Sequence, residues 1–419
     1  MKAKRTLTSA VALLTAASLL AACGGSASST ASEASSAEAA TSEAASSASE
    51  FEPMTIAYAT NAVNEDFTVK QQAYDNIIGP ALNIEFIYSE ALTDAGALTT
   101  FIENAYASGA DAVITNLSNS IDQAAAVCED LGLYYVGISS ADAVENTDLP
   151  HYISVAGASA EGYGDSYAQV IESIVGDGEE HSILILSGAA AYGATSFIEG
   201  TAGSLRALQD VYDLTYTQDI NTLATSATQV DAENDKGIKI TIFPGMEDLA
   251  NNVSPLLQTG DYDVLVGTTD IYSSLGVAVN EVEEALGMDI KFINRATFSD
   301  TMSNAFNSTD SQGSPIMDGL VCNGTYENIS AVLMLRNAFD GYADNMRDED
   351  GTCSRVPGMA PLAITSTEDY NTLSSDDMPY SFVTTEDLLS LCGPDVTWQD
   401  INDFGASLTT ENIIAKFAG

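Results

Sequence analysis

Polar and aromatic residues are concentrated in the short loops that directly follow the predicted strands. Amides and carboxylates in these loops can hydrogen-bond the hydroxyl groups of a ring compound, and the charged acceptors do so most strongly. Phe67, at the junction of a loop with a helix, could stack on such a ring, although packing between helix and sheet would also explain it. We predict a site for a sugar-like compound or a nucleoside, formed by Asn61, Asn64, Asp66, Phe67, Asn116, Asn119, Ser140, Asp142, Tyr192, Thr269, Asp270, Arg295, Asn323 and Tyr326.

No combination of residues in the sequence is typical of catalysis. The two histidines, His151 and His181, precede predicted strands, and neither is placed with a serine or cysteine as a base beside its nucleophile. No glycine-rich phosphate loop follows a strand. Residues 344–351 are acidic but lack the ligand spacing of an EF-hand, because Met346 falls at the first ligand position and Pro357 at the twelfth. We therefore expect a binding protein that needs neither a cofactor nor a metal and is not an enzyme.

Strands and helices alternate strictly in the first part of the chain. The predicted helices end at Gly79-Pro80 and at Gly109, and a third begins with a capping box formed by Ser120 and Gln123. Strict alternation is typical of a parallel sheet with helices on both faces. The sequence predicts strands of this first sheet at 54–59, 84–88, 111–115 and 134–138.

The same pattern restarts near Pro150 and predicts a second α/β lobe. Its predicted strands lie at 152–155, 182–186, 214–217, 238–243, 264–267, 290–293, 319–322 and 362–365, and two short helices follow near Thr385 and at Thr397. The predicted hinge segments between the lobes are 146–150, 294–297 and 357–365. We expect an N-terminal lobe at 51–148, a C-terminal lobe at 149–294, a return to the first lobe at 295–358, and a hinge strand with a helical tail at 359–419.

The N-terminus has the features of an export signal. Three basic residues precede an uncharged apolar run at 10–20, which is too short to span a bilayer. The motif Leu20-Ala21-Ala22-Cys23 resembles the lipobox of bacterial lipoproteins, which implies removal of residues 1–22 and lipidation of Cys23. A plain secretory signal is the alternative. Residues 24–50 are Gly, Ser, Ala, Thr and Glu, a composition typical of a flexible linker. We expect a protein tethered to the outer face of a bacterial cell membrane.

The charge balance and the cysteines add two further constraints. Lys and Arg number 13 against 60 Asp and Glu, which argues against nucleic acid as a partner. Of the four cysteines after Cys23, Cys128 and Cys322 lie in apolar patterns typical of buried thiols. Cys353 and Cys392 lie in a loop-rich region, where a disulfide and two free thiols are both compatible with an extracytoplasmic protein.

The two consecutive lobes resemble the type I periplasmic substrate-binding proteins, especially the ribose- and galactose-binding group. The resemblance covers residues 54–365 and includes the loop at 60–67, the segment Ser108-Gly109-Ala110-Asp111-Ala112-Val113-Ile114, and Gly267-Thr268-Thr269-Asp270. It implies a monomer that closes two lobes on a small ligand and delivers it to the membrane subunits of an ABC importer. The chain departs from the family at 187–192 and 139–142, which lack an arginine, and at Arg295, where the family more often has Asp.

These observations rank the ligands and leave the role open between alternatives. A neutral or weakly anionic monosaccharide-like sugar is the first expectation and a nucleoside the second. A polyamine is the third, because such a cation would need more aromatic rings than the loops offer. A receptor that presents its ligand to a membrane sensor kinase is an alternative role. A surface glycoside hydrolase is a further one, which would require two carboxyl groups facing each other across a cleft.

Overall fold

The computed structural model describes residues 51–140, 144–176, 181–193, 195–310, 313–323, 328–358, 360–375, 378–379 and 381–417, without the side chains of residues 65 and 66. Several predicted features lie outside these residues. They are the signal sequence, Cys23, the linker, Asp142, Tyr326 and the side chain of Asp66. Within the described part, no helix is both long and apolar enough to cross a bilayer.

The described chain alternates between strands and helices over most of its length. Its strands are β1 (Met54–Thr60), β2 (Ile84–Ala91), β3 (Ala112–Thr115), β4 (Tyr134–Ile138), β5 (Tyr152–Ala156), β6 (Ser182–Leu186), β7 (Val230–Asp231), β8 (Lys239–Phe243), β9 (Val264–Gly267), β10 (Lys291–Ala296), β11 (Gly319–Cys322), β12 (Ser354–Val356) and β13 (Leu362–Ile364).

The helices between and after these strands are short to medium in length. They are α1 (Glu65–Ala73), α2 (Gly79–Leu82), α3 (Ala95–Ala107), α4 (Ile121–Leu131), α5 (Ala160–Ile174), α6 (Ala189–Tyr192), α7 (Thr195–Tyr212), α8 (Ile220–Ala224), α9 (Leu249–Leu257), α10 (Tyr272–Leu286), α11 (Asp300–Asn307), α12 (Ile329–Asn337), α13 (Thr367–Leu373), α14 (Thr385–Ser390), α15 (Trp398–Ser407) and α16 (Thr410–Phe417).

Two separate sheets form the two lobes, as the alternation predicts. The first sheet has the order β12-β5-β4-β3-β1-β2, and all its neighbouring strands are parallel. The second has the order β13-β11-β10-β9-β6-β8-β7, with β13 and β7 antiparallel to their neighbours and the others parallel. The prediction of two parallel-dominated α/β lobes is therefore confirmed.

Two of the three passages between the sheets lie at different points from those predicted, and the third falls within the predicted segment 357–365. Because β5 pairs with β4, residues 152–156 belong to the first sheet, and the first passage lies between β5 and α5. Strands β10 and β11 pair within the second sheet, so the chain returns to the first lobe only between β11 and α12. The third passage lies between β12 and β13. The apolar run 152–155 fits either sheet, and only its pairing decides between them.

Local chemistry explains the other differences from the predicted elements. The helix expected to stop at Gly79-Pro80 continues through a π-helical turn at Tyr74–Ile78 into α2, because proline is tolerated in the first turn of a helix. Ser120 is the N-cap of α4, but its side chain accepts no capping hydrogen bond. The predicted strand at 214–217 is reduced to one bridge between Tyr216 and Asn234. At Thr397, where the sequence predicts the start of a helix, Thr397 and Asp400 form a capping box.

The C-terminal tail packs on both lobes. It contains four helices rather than the expected two, and α14 packs on α2 while α15 packs on α12 and β12 of the first lobe. On the other side, α13 packs on α11 and α16 on β13. One hydrophobic cluster accordingly contains Ile56 of the first sheet, Leu320 of the second and Ile401 of the tail. The tail is therefore part of the main core.

None of the four described cysteines forms a disulfide. Cys128 and Cys322 are buried, as predicted, and the disulfide considered for Cys353 and Cys392 is not formed. Burial raises the pKa of the Cys353 thiol to about 11 and that of the Cys392 thiol to about 12. Both thiols therefore remain protonated near neutral pH and are poor nucleophiles.

Candidate ligand-binding cleft

A cavity of about 230 Å³ lies between the carboxyl ends of the strands of the two sheets. Open parallel sheets bind ligands at this edge, because the loops there converge from several strands. The first lobe contributes the loops after β1, β3 and β4, and the second contributes the start of α7 and the ends of β10 and β11. The residues that line this cavity are Asn61, Lys70, Asn116, Ser118, Ile138, Ser139, Ser140, Gly157, Tyr163, Ser196, Phe197, Arg295, Asn323 and Asn328.

A second, more open cavity of about 520 Å³ adjoins the first one. The two share Ser196, Phe197, Arg295 and Asn323, so these four residues stand where the cavities meet. The remaining lining residues come from the start of α1, the loop after β9 and the loop after β10. They are Asn64, Thr269, Asp270, Ser273, Ala296, Thr297, Ser299 and Thr301.

Arg295 is the central charged residue of the cleft. Its side chain projects from β10 and is only 5% exposed. Nη1 donates to the carbonyl oxygens of Ser196 at 2.8 Å and Thr268 at 3.1 Å, and Nη2 donates to the hydroxyl of Tyr163 at 2.7 Å. Nε lies 3.4 Å from Oδ1 of Asn323. All these partners are neutral, and Arg295 forms no ion pair with any described residue.

Two aromatic rings hold this guanidinium in place. It lies 4.3 Å from the centre of the Tyr163 ring and 6.0 Å from that of Phe197, distances typical of cation–π contacts. Tyr192 in turn packs on Phe197, with ring centres 4.8 Å apart. The Arg295 side chain is thereby fixed in orientation before any ligand arrives. A fixed donor loses little conformational freedom on binding.

Tyr163 and Phe197 were not predicted as site residues. Each lies among apolar residues at helical spacing in the sequence, a pattern that by itself indicates only core packing. Their position gives the signal that could have found them, because each lies in the first turn of its helix, α5 or α7. In an α/β unit that turn follows the carboxyl end of a strand, so its side chains can face the ligand.

The amides of the first lobe are partly occupied by the protein itself. Asn116 accepts a hydrogen bond from the backbone N–H of Asn61 at 3.0 Å and donates to the hydroxyl of Thr60 at 3.3 Å. Asn64 is the N-cap of α1, because its Oδ1 accepts from the backbone N–H of Phe67 at 3.0 Å. Asn116 is thus oriented toward the cavity, while one acceptor of Asn64 is already used.

Asp270 is the single carboxylate among the described residues that line the two cavities. It also caps the start of α10, since Oδ1 accepts from the backbone N–H of Tyr272 at 3.1 Å and Oδ2 from the hydroxyl of Ser273 at 2.7 Å. The side-chain amide of Asn294 donates to the same carboxylate at 3.1 Å. Asp270 therefore combines a structural role with its place at the cavity wall.

Three predicted site residues do not line these cavities. Phe67 is 4% exposed and packs between Tyr58 and Tyr88, with ring centres 5.7 and 5.8 Å away. It is a core residue rather than a stacking platform, because the first turn of α1 lies on the aromatic side chains of β1 and β2. Asn119 is exposed on a single 3₁₀ turn. Tyr192 is 53% exposed and touches the cleft only through Phe197.

Eight of the predicted site residues line the two cavities. The structure brings together Asn61, Asn64, Asn116, Ser140, Thr269, Asp270 and Asn323 around Arg295. The site thus offers amide, hydroxyl and carboxylate groups, the cations Arg295 and Lys70, and the aromatic rings of Tyr163 and Phe197. Such groups suit a small polar ligand with several hydroxyls.

Comparison with solved structures gives the class of fold. The first of three similar structures is an ABC-transporter periplasmic solute-binding protein from Actinobacillus succinogenes with bound D-allose. Its identity is 13% and its TM-score 0.52, covering 76% of this chain and 99% of that one. The corresponding protein from Bacillus halodurans with bound myo-inositol has 15% identity and a TM-score of 0.50, with 76% and 96% covered.

The third is the periplasmic binding protein of the arabinose ABC transporter from Shewanella sp. ANA-3, bound to L-arabinofuranose. It has 11% identity and a TM-score of 0.51, covering 76% of this chain and 93% of that one. No protein-family model matches the sequence, and no curated protein sequence matches it. The chain therefore has the two-lobed type I periplasmic-binding-protein fold. Its structural neighbours are sugar-binding proteins of ABC transporters at low sequence identity.

Proposed function

We propose that this protein is the solute-binding component of an ABC importer and binds a sugar-like molecule between its two lobes. The observation that carries the proposal is the cavity between the sheet edges, lined by residues of both lobes around Arg295. A ligand held there contacts both lobes at once, which is how a binding protein of this shape couples binding to closure.

The chemistry of the lining residues favours a neutral polyol over other ligands. Asn61, Asn116 and Asn323 carry planar amides that can donate to and accept from hydroxyl groups. Phe197 supplies an apolar ring face in the same cavity. Four of the five N–H donors of Arg295 are engaged by neutral protein groups, which leaves one N–H on Nη2, fixed in orientation, for a hydroxyl or ring oxygen. The three neighbours with bound D-allose, myo-inositol and L-arabinofuranose support the same class.

A ligand screen tests this proposal directly. Thermal unfolding of the purified protein is measured with aldoses, cyclitols, nucleosides, polyamines and amino acids. At one hundred times its dissociation constant a ligand stabilises the folded state by about 2.7 kcal/mol. We expect the hits to fall among sugars or cyclitols. Hits only among polyamines or amino acids would contradict the ligand class.

A nucleoside is the second candidate, since its ribose offers hydroxyls and its base a flat ring for Phe197. The same screen separates the two, because a nucleoside hit without any sugar hit would favour it. A glycoside hydrolase finds less support, because the described lining residues contain Asp270 as their single carboxylate. Release of reducing sugar from any glycan by the purified protein would restore that alternative.

Closure of the two lobes is expected to accompany binding. The chain crosses between the lobes in three places: between β5 and α5, between β11 and α12, and between β12 and β13. Bending there would bring Asn116 toward Arg295. Small-angle scattering with a saturating ligand should show a smaller radius of gyration than without it. Equal radii in the presence of demonstrated binding would exclude the hinge.

We propose that the mature protein begins at a lipidated Cys23 and is tethered to the outer face of the cell membrane. Two acyl chains hold a protein at a bilayer far more firmly than one. Cell fractionation should find the protein in the membrane fraction, and Cys23→Ser should release it. Crosslinking in intact cells then tests the importer role against the sensor-kinase role. Capture of a permease would favour the importer, and capture of a kinase would favour the sensor.

A further inference from the structure

Three carboxylates meet at the edge of the second sheet opposite to the cleft. Glu283 lies in the last turn of α10, Asp289 just before β10, and Asp310 in the loop between α11 and β11. Each offers an oxygen that lies within 4.8 Å of an oxygen of the other two. The cluster stands at the amino ends of β10 and β11, whereas Arg295 and Asn323 stand at their carboxyl ends.

Glu283 is the buried member, and one of its two carboxylate oxygens has no hydrogen-bond partner among the described residues. The residue is 3% exposed, and its Oε1 accepts one hydrogen bond, from the backbone N–H of Ile290 at 2.9 Å. Its Oε2 and Oδ1 of Asp289 are buried oxygens that find no hydrogen-bond partner among the described residues. Buried oxygens of this kind are rare in native structures and call for a partner such as an ion. The Glu283 carboxylate faces those of Asp289 and Asp310, because one of its oxygens lies within 4.8 Å of an oxygen of each.

The surroundings of the cluster contain too little positive charge. Asp318, whose side chain is 7% exposed, adds a fourth carboxylate, and Lys291 is the cation that faces the group. Its ammonium lies 2.7 Å from Asp289 and 3.2 Å from Asp318. Burial raises the pKa of Glu283 to about 7, and the charges of Asp310, Asp289 and Asp318 raise it further against one backbone hydrogen bond. Four carboxylates face one ammonium group, so a bound divalent cation would reduce the excess of negative charge.

We propose that Glu283, Asp289 and Asp310 bind a calcium ion. Carboxylate oxygens are the ligands that Ca²⁺ prefers, and at its usual bond lengths two bound oxygens lie at most roughly 5 Å apart. The observed separations meet this condition without rearrangement. Mg²⁺ demands shorter bonds and near-ideal octahedral geometry, which three residues from an irregular loop and a helix end fit less well. Water molecules would complete the coordination shell.

Such an ion would connect three separate parts of the second lobe. It would tie the end of α10 to the start of β10 and to the loop at 308–318. That loop is held at Asp310 by the backbone N–H of Ser314, which donates to Oδ1 at 2.9 Å. The expected role is structural, because the cluster and the cleft lie at opposite edges of the sheet. This inference does not depend on which ligand the cleft binds.

Calcium binding is tested by calorimetric titration and thermal unfolding of the purified protein after treatment with EDTA. We expect CaCl₂ to bind with a stoichiometry of one and to raise the melting temperature, with MgCl₂ binding at least tenfold more weakly. Glu283→Gln and Asp289→Asn should each weaken calcium binding by tenfold or more. Glu284→Gln is the matched control, because it removes the same charge from the neighbouring exposed position of α10.

The control separates a specific site from general attraction to an acidic protein. Equal losses in Glu284→Gln and Glu283→Gln would overturn the proposal, and so would the absence of any calcium-dependent stabilisation in the unmodified chain. If Glu283→Gln stabilises the protein in EDTA while calcium has no effect on either form, the carboxyls share a proton instead of an ion. Retention of binding in Asp289→Asn together with Glu283→Gln would likewise place the ion elsewhere.

Discussion

The two edges of the second sheet carry unbalanced charges of opposite sign. At the carboxyl edge, Arg295 is a nearly buried cation whose hydrogen-bond partners are all neutral. At the amino edge, Glu283 and its neighbours form a group of four carboxylates facing Lys291. Burying a charge is costly unless it is paired, and the described residues balance the charge at neither edge.

Arg336 shows what a completed arrangement looks like in the same molecule. It is fully buried, forms a two-pronged ion pair with Asp340, and donates to the carbonyl oxygen of Glu52 at 2.9 Å. Phe51 and Phe339 cover its guanidinium. Because protein groups satisfy this cation, it has a structural explanation. On this contrast we base both proposals: we expect ligands where the described residues leave a buried charge unbalanced.

The largest expected effect comes from unbalancing Arg336. Asp340→Ala leaves a buried guanidinium without its counter-charge, which typically costs about 3–5 kcal/mol of folding free energy. Urea unfolding should show this loss, while the affinity of the cleft ligand stays within twofold of the unmodified protein. Asp344→Ala, at an exposed position in the next turn, is the control and should leave stability nearly unchanged. Equal stability of the two variants would contradict the structural role of the Arg336 pair.

A comparison of two phenylalanines sharpens the placement of the site. Phe67→Ala removes a core ring and should lower the free energy of unfolding by about 3–5 kcal/mol without changing ligand affinity. Phe197→Ala should do the reverse, with a small loss of stability and a loss of affinity of about tenfold, or about 1.4 kcal/mol. Unfolding and binding are measured on both variants. A loss of affinity confined to Phe67→Ala would move the site to the face first predicted from the sequence.

The cleft edge itself is tested through Arg295. Arg295→Gln keeps an amide donor but removes the charge and most of the fixed N–H groups, and it should weaken ligand binding by about a hundredfold, or about 2.7 kcal/mol. Arg206→Gln on the same lobe is the control, since Arg206 lies on α7 but does not line either cavity. Calorimetry of both variants gives the comparison. Undiminished binding in Arg295→Gln would show that the cation serves only to hold Tyr163 and Phe197.

The sequence predicted the fold well because periodicity is a local property. Strands such as Tyr134–Ile138 and Ser182–Leu186 were predicted to the residue, since each apolar run is bounded by polar or glycine-containing turns. Pairing between strands is not local. Nothing in the run at 152–155 tells which sheet it joins, and for that reason the predicted boundaries between the lobes were displaced.

The candidate site was predictable where loops alone define it. Asn116 and Asp270 follow strands and Arg295 lies near the carboxyl end of β10, and strand ends in parallel sheets converge at one edge. Residues on the first turns of helices were missed, because an apolar stripe indicates burial but not which neighbours bury it. The acidic cluster was also not predicted, because its members lie far apart in the sequence. Glu283, Asp289 and Asp310 are separated by up to 27 positions in sequence, and only the fold brings them together.

The smallest expected effect concerns the carboxylate of Asp400, which accepts hydrogen bonds at the start of a helix. Asp400 forms a capping box with Thr397 at the start of α15, and the hydrogen bonds from the side chain and backbone of Thr397 lower its pKa. A lowered pKa means that the ionised form stabilises the fold above the usual pKa of about 4 and that this contribution disappears as the pH falls through the lower value.

Asp400→Asn should therefore cost about 1 kcal/mol or less at pH 7 and progressively less as the solution is acidified below pH 4. Thermal unfolding of the variant and the unmodified protein at several pH values gives the difference. Asp403→Asn on the same helix is the control, because Asp403 is exposed and stands outside the capping box. A difference that grows on acidification would mean that Asp400 stabilises the helix in its protonated form, in conflict with the hydrogen bonds that it accepts from Thr397.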